Sequence, residues 1–285
     1  MPEGTDNIVW LVSYPKSGNT WFRIILSNFL SESKEPININ KMNATLIASS
    51  RSLFDTYVGT NSSDLTNSEI RNLRPELYRR ISSESESLVF IKVHDAWALN
   101  EKGDPLFPSD ITRGVIYIIR HPLDIAVSYA YHSNITYLRS LEGMSNINHG
   151  LCRNKMKLCN QLSQNLLTWS EHIESWLDRS GLPIYIIKYE DLHENAYGVF
   201  TKALDFLRIS YTPSEINTAI RNSTFELVSM QEKSMGFREK PITQELFFRS
   251  GKIGSWKEKY KLSEIKSFVS LHGEVMQRFG YTLED

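Results

Sequence analysis

A short apolar run, Ile8-Val9-Trp10-Leu11-Val12, leads straight into Ser13-Tyr14-Pro15-Lys16-Ser17-Gly18-Asn19-Thr20-Trp21. The run has the length of a buried strand. Beyond the loop, Trp21, Ile25 and Phe29 recur at helical spacing, as do Phe22, Leu26 and Leu30. Strand, tight loop and helix therefore follow one another without a break, which commits this part of the chain to an α/β fold. Pro15 shapes the turn, and Gly18 lets main chain come close to a ligand. The helix starts with unsatisfied N–H groups and its positive dipole end aimed at whatever the loop holds, an arrangement suited to an anion.

Taken by itself, the loop is compatible with a nucleoside-triphosphate P-loop, with an ordinary strand-to-helix turn, or with a different anion cradle. The P-loop requires Gly-x-x-x-x-Gly-Lys-Ser/Thr. Here Lys16 precedes Gly18 and no glycine stands upstream in the loop, so that pattern fails. The remaining choice depends on what lies further along the chain.

Three more apolar runs read as strands, the first two as buried ones, and each ends in polar residues. Leu88-Val89-Phe90-Ile91-Lys92-Val93 ends in His94-Asp95, with Lys92 and His94 on one face by strand alternation. Gly114-Val115-Ile116-Tyr117-Ile118-Ile119 ends in Arg120-His121-Pro122, with Pro122 placed to open a helix that carries Asp124 and Ser128. Pro183-Ile184-Tyr185-Ile186-Ile187-Lys188 ends in Tyr189-Glu190-Asp191-Leu192. Open α/β sheets bind ligands at that end of their strands. An arginine fork at a strand end is a good phosphate clamp. Adjacent Glu190 and Asp191 diverge and do not make a catalytic carboxylate pair; helix capping is the expected role of Asp191. His121 reads as structural.

These segments closely resemble the sulfotransferases, which move sulfuryl groups from PAPS (3′-phosphoadenosine 5′-phosphosulfate). Tyr14 to Trp21 is similar to their phosphosulfate loop, Lys92-Val93-His94 to their Lys-x-His, and Arg120 with Ser128 to their Arg-Asn-Pro-x-Asp-x-x-x-Ser element, His121 replacing the usual Asn. Tyr189-Glu190-Asp191-Leu192 and Ser223-Thr224-Phe225 match adenine-side segments. Phe247 to Lys257 resembles Phe-x-Arg-Lys-Gly-x-x-Gly-Asp-Trp-Lys, with Arg249 and Gly251 in place and Ser250 standing where the family usually has Lys. Lys252, two positions on, is a candidate replacement for that charge.

The resemblance implies an α/β fold in a single domain over residues 1–285, with a central parallel sheet flanked by helices and a P-loop-like phosphosulfate-binding strand-loop-helix. It implies PAPS as co-substrate, PAP as desulfonated product, and no metal. His94 becomes the expected general base, with Lys16 and Lys92 stabilising the leaving phosphate. Lys16, Ser17, Gly18, Asn19, Thr20, Trp21, Arg120, Ser128, Tyr189, Ser223, Phe225, Arg249, Ser250 and Gly251 become the expected donor-binding residues. Trp21 and Phe225 are expected to sandwich the adenine. A non-catalytic adenosine-phosphate binder and a P-loop kinase-like enzyme are the alternatives. The first has no need of Lys-x-His, and the second requires the Gly-Lys-Ser/Thr that is missing.

Composition narrows the partners. The formal net charge of −1 lacks the basic excess of a general nucleic-acid binder, so any anion site is local. No apolar run reaches membrane-spanning length and no leader pattern opens the chain, so a cytoplasmic enzyme with reduced Cys152 and Cys159 is expected. The acceptor is expected to be a small-molecule hydroxyl or amine compound. The C-terminal Lys-x-x-x-Thr-Val-x-x-x-Glu dimer motif of animal members is absent after Lys257, which leaves dimerisation by that route doubtful and suggests a microbial branch. Residues 31–87, 134–161 and 230–246 read as variable lid or acceptor segments. The first holds a helix from Ser68 to Ile81 with a kink or break at Pro75, and the second holds the cations Arg139, Arg153, Lys155 and Lys157, with His149 as a further one. A helix from Leu162 to Arg179 follows.

Overall fold

The structure is a computed structural model that describes residues 6–153 and 159–284. In chain order the elements are β1 (Ile8–Ser13), α1 (Asn19–Phe29), β2 (Thr45–Ile47), α2 (Arg51–Val58), α3 (Asn67–Ser83), β3 (Val89–Val93), β4 (Thr112–Ile119), α4 (Pro122–Ser133) and α5 (Tyr137–Met144). They continue with β5 (Gly150–Leu151), β6 (Gln164–Asn165), α6 (Trp169–Leu177), β7 (Ile184–Lys188), α7 (Tyr189–Glu194), α8 (Ala196–Leu207), α9 (Pro213–Arg221), α10 (Phe225–Met235) and α11 (Leu262–Arg278). The main sheet is parallel, five-stranded, in the order β2-β3-β1-β4-β7. From β1 the chain runs outward on one side to β2, and from β3 it crosses over to β4 on the other. The carboxyl ends of β1 and β4 therefore flank the topological switch point, where such sheets bind ligands.

The four apolar runs are all strands, and β1 is buried along its whole length. The edge strand β2 was not apparent in the sequence; it has three residues, and Thr45-Leu46-Ile47 carries no alternation long enough to register. Its place is fixed by pairing with β3, Leu46 opposite Ile91. Three further expectations are corrected. Helix α3 runs through Pro75 as one element of 17 residues. Proline removes one main-chain bond, and here buried side chains anchor both sides of it: Arg74 reaches Asp95 at 2.9 Å, and Tyr78 packs edge-on against Trp10 at 4.9 Å. Helix α6 starts at Trp169, not Leu162, because Gln164–Asn165 pairs with Gly150–Leu151 and Thr168 then caps the helix. Asp191 lies inside α7; the cap of α8 is Asn195, whose Oδ1 accepts from Gly198 N.

The chain gathers into two compact units, each built from several segments. The first comprises residues up to Tyr14, Thr45–Tyr117 and Ile147–Ile186. Its core is aromatic: Trp10, Tyr78, Phe107 and Trp176 are fully buried and meet at 4.8–6.1 Å between ring centroids. Trp10 Nε1 donates to Thr112 Oγ1, so the large ring is placed without an unsatisfied donor. The second comprises Pro15–Ala44, Ile118–Asn146 and the chain from Ile187 onward. There, Ile24, Ile39, Met42, Val228, Phe237 and Phe248 form one buried cluster, and buried Arg23 is neutralised by Glu239 at 2.7 Å. Among the described residues, no helix is long and apolar enough to cross a membrane and no group of three or more His, Cys, Asp or Glu is placed to hold a metal ion.

Candidate functional site

In the first unit, His94 is the residue immediately after β3, half-buried, and its ring is tied to the end of β1. Its Nδ1 lies 2.8 Å from the Ser13 carbonyl and 3.3 Å from Ser13 Oγ. A carbonyl only accepts, so Nδ1 carries the proton and, in the neutral ring, Nε2 is the basic nitrogen. The main chain of His94 is held just as firmly. His172 of α6 donates from Nε2 to the His94 carbonyl at 3.0 Å, while its Nδ1 accepts from Tyr117 Oη at 2.7 Å. Burial lowers the His172 pKa to about 4, so it stays neutral. Asp95 next door is gripped by Arg74, by Asn165 N and, at its carbonyl, by Trp176 Nε1. Lys92, on β3, is buried.

Tyr14, the residue after Ser13, is also fixed in this unit. Its hydroxyl meets His149 Nδ1 at 2.7 Å and its ring stands edge-on to His172. His149 is not the extra cation expected of its segment: burial, followed by nearby Arg153, lowers its pKa to about 4. Lys155 and Lys157 of that expected cluster lie outside the described residues.

In the second unit, Lys16, Ser17, Gly18, Asn19 and Thr20 form the turn into α1, with Gly18 at φ 100° as its N-cap and Lys16 itself in the left-handed region at φ 72°. A lysine is uncommon there and needs outside support. Arg120, just past β4, supplies it. One guanidinium nitrogen donates to the Lys16 carbonyl at 3.2 Å and another to the Lys252 carbonyl at 2.9 Å, while the plane lies 4.3 Å from the centre of the Tyr189 ring. Tyr189 closes the arrangement. It donates to the Gly251 carbonyl at 2.9 Å, meets the Trp21 ring edge-on at 5.9 Å, and packs so tightly on Gly18 that a Cβ there would lie 2.5 Å from its ring. Its phenol pKa is raised by burial. Trp21 Nε1 donates to the Ser223 carbonyl, and the Phe225 ring lies against Gly251, whose Cβ would meet it at 2.9 Å.

Two carboxylates that were not singled out as site residues fix the span carrying Arg249, Ser250 and Gly251. Buried Glu232 accepts from Phe247 N and Phe248 N at 2.6 and 2.8 Å. Buried Asp124 accepts from Gly254 N, Ser255 Oγ and Trp256 N at 2.7–3.1 Å. Arg249 itself is exposed, its guanidinium 5.0 Å from the Tyr131 ring centre. Ser250 Oγ accepts from Lys252 N, and the Lys252 side chain is exposed. Ser128 is half-buried on α4. His121 is structural as expected: it caps Leu123 N and stacks on Trp256. Another histidine not foreseen at the site, His132, lies 3.4 Å from Lys16 Nζ; its position one helical turn beyond Ser128 was the available signal.

Two buried polar atoms of this cradle, Ser17 Oγ and Arg120 Nε, have no hydrogen-bond partner among the described residues. Buried donors are ordinarily paired. Both belong to residues of a kind that donates to phosphate or sulfate oxygens, and the donor-rich loop, the α1 N-terminus and the Arg120 fork fit a doubly phosphorylated nucleotide.

A strand-loop-helix anion cradle at the switch point of a parallel sheet defines a P-loop-like α/β protein. Residues 6–280 match the sulfotransferase domain, and the chain belongs to that family. Sulfotransferase 2A6 of Mus musculus is 28% identical over 172 residues, 58% of this chain, which spans 57% of that relative's length. Flavonol 3-sulfotransferase of Flaveria bidentis is 25% identical over 98% of this chain and 84% of its own. Among solved structures, mouse sulfotransferase SULT7A1 complexed with PAP superposes with a TM-score of 0.60 at 20% identity, covering 96% of this chain and 85% of that one. Retinol dehydratase with retinol and PAP gives 0.59 at 16% identity, covering 95% and 82%. At those identities the structures bear on the fold, which agrees.

Proposed function

We propose that this protein is a PAPS-dependent sulfotransferase that transfers the sulfuryl group to a hydroxyl, or an amine, of a small-molecule acceptor. The observation that carries the reading is the Arg120 fork, which brings the carbonyls of Lys16 and Lys252 to one guanidinium. Segments assigned to the sulfate end and to the 3′-phosphate end of one donor thereby meet. Relatives named as sulfotransferases and a structural neighbour holding PAP support the same chemistry.

When bound, PAPS supplies the sulfuryl group and leaves as PAP. Ser17, Asn19, Thr20 and the α1 N-terminus hold its 5′ end, and Arg120, Ser128, Arg249, Ser250 and Gly251 hold the 3′-phosphate. Trp21, Tyr189, Ser223 and Phe225 line the adenine side. His94 takes the acceptor's proton at Nε2, a role that contributes about 10²–10⁴-fold. Lys16, aided by Lys92, stabilises the negative charge that grows on the departing phosphate. The protein works as a small-molecule enzyme of the cytoplasm, without recourse to nucleic acid.

Calorimetric titration with PAP, PAPS and ATP-Mg²⁺, followed by transfer of labelled sulfate to a panel of phenols, steroids and amines, tests the reading. Binding of PAP and PAPS with labelled product is expected. Preference for ATP-Mg²⁺ would instead indicate a kinase-like enzyme, and nucleotide binding without transfer to any acceptor would indicate a binding protein.

A further inference from the structure

Tyr131 and His132 are neighbours in the last turn of α4, and each holds one of two cations assigned above to opposite ends of the donor. Lys16 Nζ lies 3.4 Å from His132 Nδ1 and 4.0 Å from the centre of the Phe247 ring, and the two rings meet edge to face at 6.0 Å. The Arg249 guanidinium lies over the Tyr131 ring at 5.0 Å, and Gln244 donates to the Tyr131 carbonyl at 2.8 Å. An ammonium has donors only, so His132 Nδ1 is the accepting nitrogen. Phe247 and Arg249 come from one span, whose register Glu232 sets through Phe247 N and Phe248 N.

A lysine side chain is a point charge on a flexible stem, and it stabilises a developing charge only when held where that charge appears. Arg120 holds the Lys16 main chain through its carbonyl, and His132 and Phe247 meet its ammonium. We propose that His132 is a positioning residue for Lys16: its imidazole and the Phe247 ring hold the ammonium, while adjacent Tyr131 seats Arg249, so that one turn of α4 sets the spacing between the two cations that grip the ends of the donor. The proposal rests on the sulfotransferase reading for what Lys16 does, though not for the contact itself.

The contact is tested in the ligand-free protein by trace acetylation with acetic anhydride, read by mass spectrometry at Lys16 against exposed Lys259, in wild type, His132→Phe and His132→Asn. An accepting imidazole favours the charged, unreactive ammonium. Phe is therefore expected to raise Lys16 acetylation about threefold or more, and Asn, with Oδ1 near the place of Nδ1, to recover most of the wild-type rate. Equal Lys16 reactivity in the three proteins overturns the proposal. Against labelled PAPS, the Phe variant is expected to lower kcat about tenfold with PAP affinity held within about threefold, and Asn to restore most of the loss. Parallel loss of kcat and PAP affinity, or an Asn variant no better than Phe, overturns it too. If wild type neither binds PAP nor transfers sulfate, the functional reading has failed, and the acetylation result still decides the contact.

Discussion

His172 donates a 3.0 Å hydrogen bond from Nε2 to the main-chain carbonyl of His94. The residue proposed as base is thus placed by α6 as well as by the strand it follows. Because a fully buried imidazole with a pKa of about 4 does this, the support depends on His172 remaining neutral.

Stability is expected to fall in acid as a result. In the unfolded chain the imidazole takes a proton near 6.5, in the folded protein only near about 4, so unfolding takes up a proton between those values. The His172 contribution is complete above the upper value and lost as pH falls through the lower one, a difference of roughly 3 kcal/mol. His149 and His272 are shifted the same way by burial and add to the slope. Urea midpoints measured across this window should decline with acid, and His172→Gln should flatten the decline. An unchanged slope in the variant would remove His172 from the account.

Replacing His94 with Ala is expected to lower sulfate transfer by at least about 10²-fold while PAP still binds. Transfer from labelled PAPS and titration with PAP measure the two effects separately. A near-normal rate would move the base elsewhere.

Gly18→Ala and Gly59→Ala form a matched pair, since both glycines have positive φ, but only Gly18 faces a side chain at 2.5 Å. The Gly59 change is expected to cost about 1 kcal/mol from backbone strain alone, and the Gly18 change about 2 kcal/mol or more because Tyr189 must shift. Only Gly18→Ala should weaken PAP binding, since Tyr189 also carries Arg120 and Gly251. Denaturation midpoints and PAP titration check both halves. Equal costs at the two sites would show that Tyr189 is not tightly held.

Ser250→Lys restores the cation that the resemblance leads one to expect. PAP affinity should rise about three- to tenfold at low salt, and the gain should shrink as salt is added. Titration at two ionic strengths is the measurement, and no gain at low salt would mean that this position does not face the 3′-phosphate.

Much of this was legible because it is local. β1, β3, β4 and β7 are apolar runs, and Lys16, His94, Arg120 and Arg249 stand at their ends or in motifs. The glycine of the loop announces a turn that only glycine tolerates. What was not legible is held by distant partners. β2 exists because β3 offers it an edge, and Pro75 stays in a helix because Arg74 and Tyr78 are anchored on either side of it. His172 and Glu232 read as ordinary helix residues until the backbone groups they satisfy, at His94 and at Phe247 and Phe248, are seen. No spacing rule connects such pairs.

The two carboxylates on either side of the Arg249 span have a consequence for how the chain tolerates changes in length. Glu232 fixes the main chain at Phe247 and Phe248, and Asp124 fixes it again from Gly254 to Trp256. Arg249, Ser250, Gly251, Lys252 and Ile253 bridge two fastened points. A residue inserted there has to be taken up at Arg249 or Gly251, and so at the proposed 3′-phosphate site. One inserted at Ile242–Thr243, where both residues are exposed, has solvent to expand into. Loop grafts and tags belong on that outer stretch, and the five-residue bridge behaves as a ruler.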